Sequence, residues 1–219
     1  MEVRPATLTD VDVAVRCLVG AFAGDPITGY FFQSVPDRRD AAAALFFSIL
    51  LRVRLILRMP VLLAVDDDKV VGVAMGYDAS RLAWPPELSQ EWAALEASVA
   101  GMPERSRLYD QVSSCGVPGS PHYYLGVIGI DPNRQGEGIG RALLSAFCQL
   151  STNDPESSGV YLETATPANL GFYEKSGFRQ THRAAMGNAT LWCLFRARST
   201  TSTPSPKTPA PPCPPFRAP

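Results

Sequence analysis

The chain has 219 residues, of which 46% are hydrophobic and 19% charged, and 20 basic residues nearly balance 21 acidic ones. This composition excludes a chain that is disordered throughout, and it suits one folded domain or two small ones. A formal net charge of −1 gives no general attraction to nucleic acid or to an anionic membrane. We therefore expect neither as a partner, and any bound anion must be held by a local feature.

The start of the chain and its cysteines indicate a reduced, soluble, cytoplasmic protein. The first residues, Met1 to Pro5, lack the basic stretch and the long apolar run of a signal peptide. The most apolar stretch, residues 41–51, is too short to span a bilayer and is followed by three arginines. Five scattered cysteines without a C-x-x-C pair, and only two histidines, argue against a structural zinc site, so no metal is expected.

The hydrophobic pattern and the turn residues predict alternating strands and helices. The first part is predicted to contain a strand at 2–5, a helix that Thr9 caps and that runs to about Ala23, a helix at 37–57, and hairpin strands at 61–65 and 70–77. The last part adds strands at 123–130 and 160–164, each followed by a helix (138–150 and 169–176), and strands at 178–186 and 189–195. This alternation indicates a mixed α/β sheet.

The composition divides the chain into a domain at 1–198 and a tail at 199–219. The tail is rich in serine, threonine and proline and holds eight of the 20 prolines, which predicts disorder. Within the domain, residues 81–121 are irregular, with a helix predicted at 87–99 and another opened by Pro103. This segment is long for a structureless loop, so it is predicted to be a variable, lid-like insertion or a dimer contact in a homodimer.

The segment that carries chemistry is a glycine-rich loop between an apolar strand and an apolar-striped helix. Gly136, Gly138 and Gly140 alternate in this loop, directly before the helix. Glycines let backbone N–H groups approach a ligand closely, and the helix start adds unpaired donors and a partial positive charge. Together these features predict a pyrophosphate site. The alternative is a tight strand-to-helix turn that serves packing alone.

Two other phosphate-binding motifs do not fit this loop. A Walker A motif ends in Gly-Lys-Ser/Thr, whereas Gly140 is followed by Arg141 and Ala142. The dinucleotide fingerprint G-x-G-x-x-G would need a glycine in place of Arg141 or Leu143. Neither P-loop nor dinucleotide-binding chemistry is therefore indicated.

Two sequence blocks resemble the signatures of the GCN5-related N-acetyltransferase (GNAT) family. Gln135-x-x-Gly138-x-Gly140, between a strand and a helix, is similar to the family's acyl-CoA signature. The second block begins at Val160 and closes with Phe-Tyr-x-x-x-Gly-Phe at Phe178. Both blocks occur in the family's order, and the close match covers residues 125–178. The resemblance is specific for the fold and the acyl donor, and it says little about the acceptor.

The resemblance implies a GNAT-like α/β fold, with a mixed, mostly antiparallel sheet of six to seven strands flanked by helices. The fourth and fifth strands of such a sheet splay apart after a bulge, and the pantetheine arm of acetyl-CoA pairs with the fourth strand in that gap. The residues implied for this pairing are Ile128, Gly129 and Ile130. Those implied for the pyrophosphate are Gln135, Gly136, Glu137, Gly138, Ile139, Gly140 and Arg141. Arg134 either adds charge there or is a solvated surface side chain.

Tyr173 is the implied proton donor. A tyrosine at this place in the family lies near the donor sulfur, and a phenol with a pKa of about 10 is protonated at neutral pH, so it can protonate a leaving thiolate. The alternative is a packing tyrosine beside Phe172. Asn169 lies one helical turn earlier on the same face and is expected to contact the donor or to cap the helix.

The general base is left open by the sequence. Many family members have a glutamate on the fourth strand, four residues before the stretch that pairs with the donor, and Tyr124 stands there in this chain. The candidates are therefore Tyr124 itself, His122, Glu163 on the fifth strand, and a water chain to Asp78. Histidine has the best intrinsic pKa of these groups for a base. The alternative is that His122 is a surface loop side chain. Glu163 is either buried near the reaction or exposed on a strand edge.

The sequence thus predicts an acetyl-CoA-dependent N-acetyltransferase that acts on a small-molecule amine by direct attack on the thioester. Two alternatives stay open, a protein N-acetyltransferase and a non-catalytic acyl-CoA-binding sensor, the latter because the strand glutamate is missing. Several aromatic side chains suit an apolar acceptor or else fill the core. They are Tyr30, Phe31, Phe32, Trp84, Trp92 and Tyr109.

Overall fold

The computed structural model describes residues 1–80 and 82–198, so the predicted tail at 199–219 lies outside the described residues. The strands are β1 (Glu2–Pro5), β2 (Val61–Asp66), β3 (Lys69–Tyr77), β4 (Tyr123–Ile130), β5 (Gly159–Thr164), β6 (Arg179–Met186) and β7 (Ala189–Ala197). The α-helices are α1 (Val11–Ala21), α2 (Pro26–Phe31), α3 (Arg39–Ile56), α4 (Pro86–Ser98), α5 (Met102–Ser114), α6 (Ile139–Asn153) and α7 (Leu170–Lys175).

The strands form one seven-stranded sheet in the order β1-β2-β3-β4-β5-β7-β6. Every neighbouring pair is antiparallel except β4 and β5, which run parallel in the middle of the sheet. This arrangement confirms the predicted α/β fold with a mixed, mostly antiparallel sheet flanked by helices. It also places the connection between the two halves of the sheet at the β4–β5 pair.

Two hydrophobic clusters cover the two faces of the sheet. The larger one packs α1, α3, α4 and the start of α5 against the sheet, with Phe47, Leu51 and Met75 almost fully buried. The smaller one packs α6 and α7 on the opposite face, around Leu143 and Phe147. Because strands β2, β3 and β4 are covered on both faces, a ligand can enter this part of the sheet where two strands separate.

Helix α3 carries the longest apolar run of the sequence. Most of its buried side chains are apolar, but Arg54 is also buried, with 2% of its surface exposed. Among residues 1–80 and 82–198, no helix combines the length and the apolar character that a membrane span requires.

The entry to α1 differs from the prediction. Thr9 does not cap this helix. A 3-10 turn at Leu8–Asp10 comes first, and the backbone N–H of Thr7 donates to the Asp10 carboxylate over 2.8 Å. The same carboxylate pairs with Arg4 over 2.7 Å. Hydrogen bonds from Arg4 and Thr7 lower the pKa of Asp10.

Helix α2 was not predicted from the sequence. Asp25 is its N-cap and accepts a hydrogen bond from the backbone N–H of Thr28 over 2.8 Å, and Pro26 occupies the first turn. The helix is six residues long, too short to show a periodic apolar face. It contacts α5 and β7.

The irregular segment contains the two expected helices, α4 and α5. Leu88, Leu95, Val99 and Met102 are buried in the larger cluster, so this segment contributes to the main core. Helix α5 contacts α2, β6 and β7. The role of the segment as a lid or a dimer contact stays a prediction.

Candidate functional site

The central feature of the molecule is a gap between β4 and β5. The two strands pair only at Tyr123 with Val160 and at Tyr124 with Tyr161. Beyond these pairs β4 continues to Ile130 along β3, and β5 continues to Thr164 along β7. The predicted splay is therefore present, and the edge of β4 from residue 125 onward faces the gap, where a ligand can pair with it.

A bulge in β4 lies directly at the start of the gap. Leu125 pairs with Gly76 and Val127 pairs with Met75, so Gly126 is left without a partner on β3. Leu125 packs on the α6 side of the sheet, whereas Val127 packs on the α3 side. The extra residue bends the strand away from β5 and redirects its backbone groups.

The bulge requires glycine at position 76. A Cβ on Gly76 would overlap the carbonyl oxygen of Tyr124 and lie 2.5 Å from the Phe147 ring. We expect Gly76→Ala to lower the free energy of unfolding by about 2 kcal/mol, a typical cost of overpacking. Chemical denaturation followed by circular dichroism measures this loss. Gly24→Ala is the control because a Cβ there meets nothing within 4 Å, and an equal loss in both variants would contradict the steric role of Gly76.

The glycine loop follows β4 directly and leads into α6. A 3-10 turn at Pro132–Arg134 begins the loop, and the Asp131 carboxylate accepts the backbone N–H of Asn133 over 2.9 Å. Gly136 and Gly138 have φ angles of 86° and 85°, in the left-handed region that favours glycine. A Cβ on either glycine would meet nothing within 4 Å, so the space beside the loop is open.

Gly138 is the N-cap of α6, which begins at Ile139. Gln135, Glu137, Gly140 and Arg141 flank it, so the predicted pyrophosphate residues lie together at the first turn of this helix. The N–H groups of a first helical turn lack partners within the helix and favour an anion. The loop therefore has the geometry of an anion site at one end of the gap.

Arg134 does not point its charge into an open anion site. It pairs with Glu137 within the loop and with Asp66 at the end of β2, in both cases over 2.8 Å. Hydrogen bonds from Arg134 lower the pKa values of both carboxyl groups. Arg134 therefore connects the loop to the sheet. This pairing with two neighbouring carboxylates is neither of the two roles predicted from the sequence.

A basic groove of about 400 Å³ runs between α6 and α7 and includes Arg141 in the first turn of α6. Among the described residues its lining includes three cations and no acidic side chain. The lining residues are Arg141, Leu144, Ser145, Cys148, Gln149, Thr152, Phe172, Lys175, Ser176 and Arg196. Only Arg141 was predicted from the sequence, because Lys175 and Arg196 come from elements that are distant in sequence.

Tyr173 lies in the smaller core cluster with 5% of its surface exposed. Its ring packs on Phe172 and Phe178, with centroid distances of 5.2 and 5.8 Å. Burial and the negative charge of Asp25 raise its pKa, so the hydroxyl keeps its proton at neutral pH. Burial also raises the pKa of Asp25. No sequence pattern pointed to Asp25, because only the packing of α2 brings its charge near Tyr173.

Asn169 stands at the N-cap position of α7, but its side chain makes no capping hydrogen bond there. The expected helix cap is therefore wrong, and the amide of this exposed side chain is not used by the helix. A 3-10 turn at Pro167–Asn169 leads into α7 in its place. The contact of Asn169 with the donor stays a prediction.

Tyr124 and Glu163 meet where the gap opens. Tyr124 stacks on Tyr77 and on Tyr161, with ring centroids 6.5 and 6.1 Å apart. The Tyr109 hydroxyl, from α5, lies 3.4 Å from the Tyr124 hydroxyl and donates to the Glu163 carboxylate over 3.4 Å. Burial raises the pKa values of Tyr109 and Tyr124, and the charge of Glu163 raises them further. These phenols therefore stay protonated beside the carboxylate.

His122 lies at the closed end of the β4–β5 pair. It has 1% of its surface exposed, so the interpretation as a surface loop histidine is wrong. Its Nδ1 lies 2.7 Å from the carbonyl oxygen of Ser120, and its ring packs against Tyr161 and Phe195. Tyr161 separates His122 from Tyr124, so the two other base candidates, Tyr124 and Glu163, are the ones that the gap brings together.

A parallel strand pair that opens at a bulge, followed by a glycine loop and a helix, is the arrangement that the resemblance to an acyltransferase family implied. The profile of the Acetyltransferase (GNAT) family matches residues 29–178. This match covers more than half of the chain. The chain belongs to the GNAT family of acetyltransferases.

Solved structures support the same fold. A structure described as histone acetyltransferase HPA2 and related acetyltransferase from Corynebacterium glutamicum is 22% identical, with a TM-score of 0.68 over 92% of this chain and 98% of that one. A ribosomal-protein-alanine N-acetyltransferase from Brucella melitensis is 16% identical, with a TM-score of 0.56 over 90% and 99%. The C-terminal condensation domain of Ebony, in complex with beta-alanyl-dopamine, is 11% identical, with a TM-score of 0.61 over 90% and 98%. At these identities the likeness shows the fold alone.

Proposed function

We propose that the chain is an acetyl-CoA-dependent N-acetyltransferase that acts on a small-molecule amine. The observation that carries this proposal is the gap beyond Tyr124 and Tyr161, which ends at a glycine loop and the start of α6. An extended amide chain fits the exposed edge of β4, and a diphosphate fits the helix start. A cytoplasmic location stays a prediction from the sequence.

The donor-binding residues follow from this arrangement. Ile128, Gly129 and Ile130 would pair with the pantetheine amides, and residues 135–141 would hold the pyrophosphate. The groove between α6 and α7 supplies Lys175 and Arg196 for the remaining phosphate of coenzyme A, since cations without an acidic neighbour in the groove favour an anion. Asn169 would contact the donor from the start of α7.

The reaction forms a bond between the acceptor nitrogen and the acetyl carbon and breaks the bond between that carbon and sulfur. Backbone N–H groups at the β4 bulge would polarise the acetyl carbonyl. A base takes a proton from the acceptor nitrogen, and we assign this role to Glu163, which accepts a hydrogen bond from Tyr109 beside Tyr124. Tyr173 gives its proton to the departing sulfur.

The enclosure of the acceptor side supports a small acceptor. Helix α5 covers β5, where the Tyr161 hydroxyl donates to the carbonyl oxygen of Ser113 over 2.7 Å. The turn between β6 and β7 contacts α2, since a Cβ on Gly187 would lie 2.7 Å from the Tyr30 ring. With α2, α5 and this turn close together, a single amine fits the acceptor side better than a folded protein does.

The test combines binding with turnover. We expect coenzyme A at millimolar concentration to raise the melting temperature by several degrees, as any ligand of the native state does. We also expect acetyl-CoA to release free thiol with at least one member of a panel of small aromatic and aliphatic amines, and much more slowly with peptides. Thermal unfolding and a thiol-reactive dye measure the two effects.

Glycine variants locate the binding. Gly138→Val should abolish the thermal protection because a β-branched residue is strained at a φ of 85°. Gly171→Ala in α7 should keep it, because a Cβ there meets nothing within 4 Å. Faster turnover of peptides would favour a protein N-acetyltransferase, and protection without thiol release for any amine would favour a sensor. No protection in the unmodified chain would overturn the proposal.

A further inference from the structure

Arg54 is a buried cation in the middle of the larger core. Its Nη1 donates to the carbonyl oxygen of Leu50, one turn earlier in α3, over 2.9 Å. Its Nε is buried and has no hydrogen-bond partner among the described residues. The guanidinium carbon lies 4.4 Å from the centre of the Tyr77 ring, so an aromatic face is its main neighbour.

Such a charge costs stability. None of the ion pairs between described residues includes Arg54, of which only 2% is exposed. Moving a cation out of water costs several kcal/mol, and a hydrophobic side chain of similar volume often stabilises such a position. Departures of this kind from the rules of core packing are typical of functional sites.

The guanidinium reaches the β4 bulge. A Cβ on Gly126 would lie 3.2 Å from Nη2 of Arg54 and 3.0 Å from the Tyr124 ring, so both side chains occupy the space beside the bulge. This is the point where β4 and β5 separate and where the acetyl carbonyl would meet the backbone of β4. The charge of Arg54 is therefore close to the groups on which the reaction depends.

The groups around Arg54 come from four elements. Tyr77 of β3 lies under the guanidinium, and Tyr124 of β4 stacks on Tyr77. Behind Tyr124 lie Tyr109 of α5 and Glu163 of β5. The positive charge of Arg54 lowers the pKa of Tyr124, against the larger opposite effects of burial and Glu163. The field of Arg54 thus acts on the acceptor end of the gap.

We propose that Arg54 is a positioning residue whose buried charge disfavours protonation of Glu163 and of the bound acceptor amine. The role in turnover rests on the proposed function, but the effect on Glu163 does not. A nearby positive charge stabilises a carboxylate and destabilises an ammonium group, so both groups lose their protons at lower pH. The base is then ready and the amine nucleophilic at neutral pH.

The direct test is a pH titration of Glu163 in the full chain. The carboxyl carbon is isotopically labelled and observed by carbon NMR, and Glu163→Gln assigns its signal. Arg54→Met removes the charge and keeps much of the volume. We expect it to raise the pKa of Glu163 by about one pH unit, the order of the effect of one partly buried unit charge. Arg54→Lys keeps the charge and should restore most of the difference.

Turnover gives the second readout. In Arg54→Met the acidic limb of the pH profile of kcat/KM should move to higher pH by a similar amount, because both proton losses become harder. Arg52→Met is the matched control. It removes the same charge from the same helix, but Arg52 pairs with Glu91 over 2.7 Å and is one-third exposed. We expect this variant to leave both the titration and the profile unchanged.

The outcomes separate the two proposals. If Arg54→Met melts cooperatively and leaves the Glu163 titration in place, Arg54 is structural and the inference is wrong. If Arg54→Met does not fold, the pKa of Glu163 is compared between Arg54→Lys, which keeps the charge, and Arg54→Gln, which removes it. Equal values in the two variants would show that the inference is wrong. If Glu163 shifts as expected but no amine is acetylated by the unmodified chain, the inference holds and the proposed function fails.

Discussion

Tyr173→Phe is expected to reduce kcat by about 100- to 10,000-fold, the usual contribution of a general acid. The hydroxyl is the only group removed. Burial and the charge of Asp25 raise its pKa, so the hydroxyl carries its proton at neutral pH. A phenylalanine fits the same contacts with Phe172 and Phe178. Coenzyme A should therefore bind within about threefold of its original affinity. Steady-state thiol release and calorimetry measure the two quantities.

The control for this variant is Tyr123→Phe. Tyr123 is also a buried tyrosine of the smaller cluster, and its ring packs on Phe147. Its hydroxyl interacts with Asp154 after the far end of α6, away from the gap. We expect kcat to stay within about twofold in this variant. Equal activity in both variants would mean that Tyr173 only packs in the core.

Glu163→Gln is expected to reduce kcat/KM at neutral pH by about 100-fold or more if this carboxylate removes the proton from the acceptor. The deficit should shrink as the pH rises. Since an amine with a pKa near 10 gains about tenfold in its neutral form per pH unit, the variant approaches the unmodified enzyme in alkaline solution. A pH series of kcat/KM measures this convergence.

Two variants compare the other base candidates. Tyr124→Phe keeps the stacks on Tyr77 and Tyr161 but loses the hydroxyl that lies near Tyr109. We expect a loss of about tenfold, because the Tyr109 hydroxyl still reaches Glu163. His122→Gln should change the profile least, since Tyr161 separates it from the gap. If kcat/KM falls in His122→Gln by an amount that shrinks as the pH rises, and does not do so in Glu163→Gln, then His122 is the base.

The central part of the fold could be predicted because local signals there agree with one another. An apolar strand, a loop with alternating glycines and an apolar-striped helix follow in order, so β4 was predicted with its observed bounds and α6 to within a few residues at each end. The mostly antiparallel sheet and its splay came from the family resemblance, and the strand order was not predicted. Periodicity alone says nothing about which strands stop pairing, because pairing depends on residues far apart in sequence.

The rest of the site depends on contacts that no local pattern encodes. The charge of Asp25 reaches Tyr173 only through the packing of α2, a six-residue helix that contacts α5 and β7. Arg54 follows the most apolar stretch of α3 and has Arg52 and Arg58 near it in sequence, so no local pattern distinguishes it from a surface charge. The sequence offered the same two roles, acceptor contact or core packing, for Tyr109 and five other aromatic residues. The contact of Tyr109 with Glu163 depends on the packing of α5 beside β5.

The limited pairing between β4 and β5 has a mechanical consequence. Only two residue pairs join the half of the sheet that carries the amino terminus to the half formed by β5, β7 and β6, so helix packing supplies most of the connection. An elongated thioester lodged between these halves would act as a removable eighth strand that ties them together. Amide exchange should then slow along the open edges of β4 and β5 together when coenzyme A is added, and the half-sheets should behave as one unit only while it stays bound.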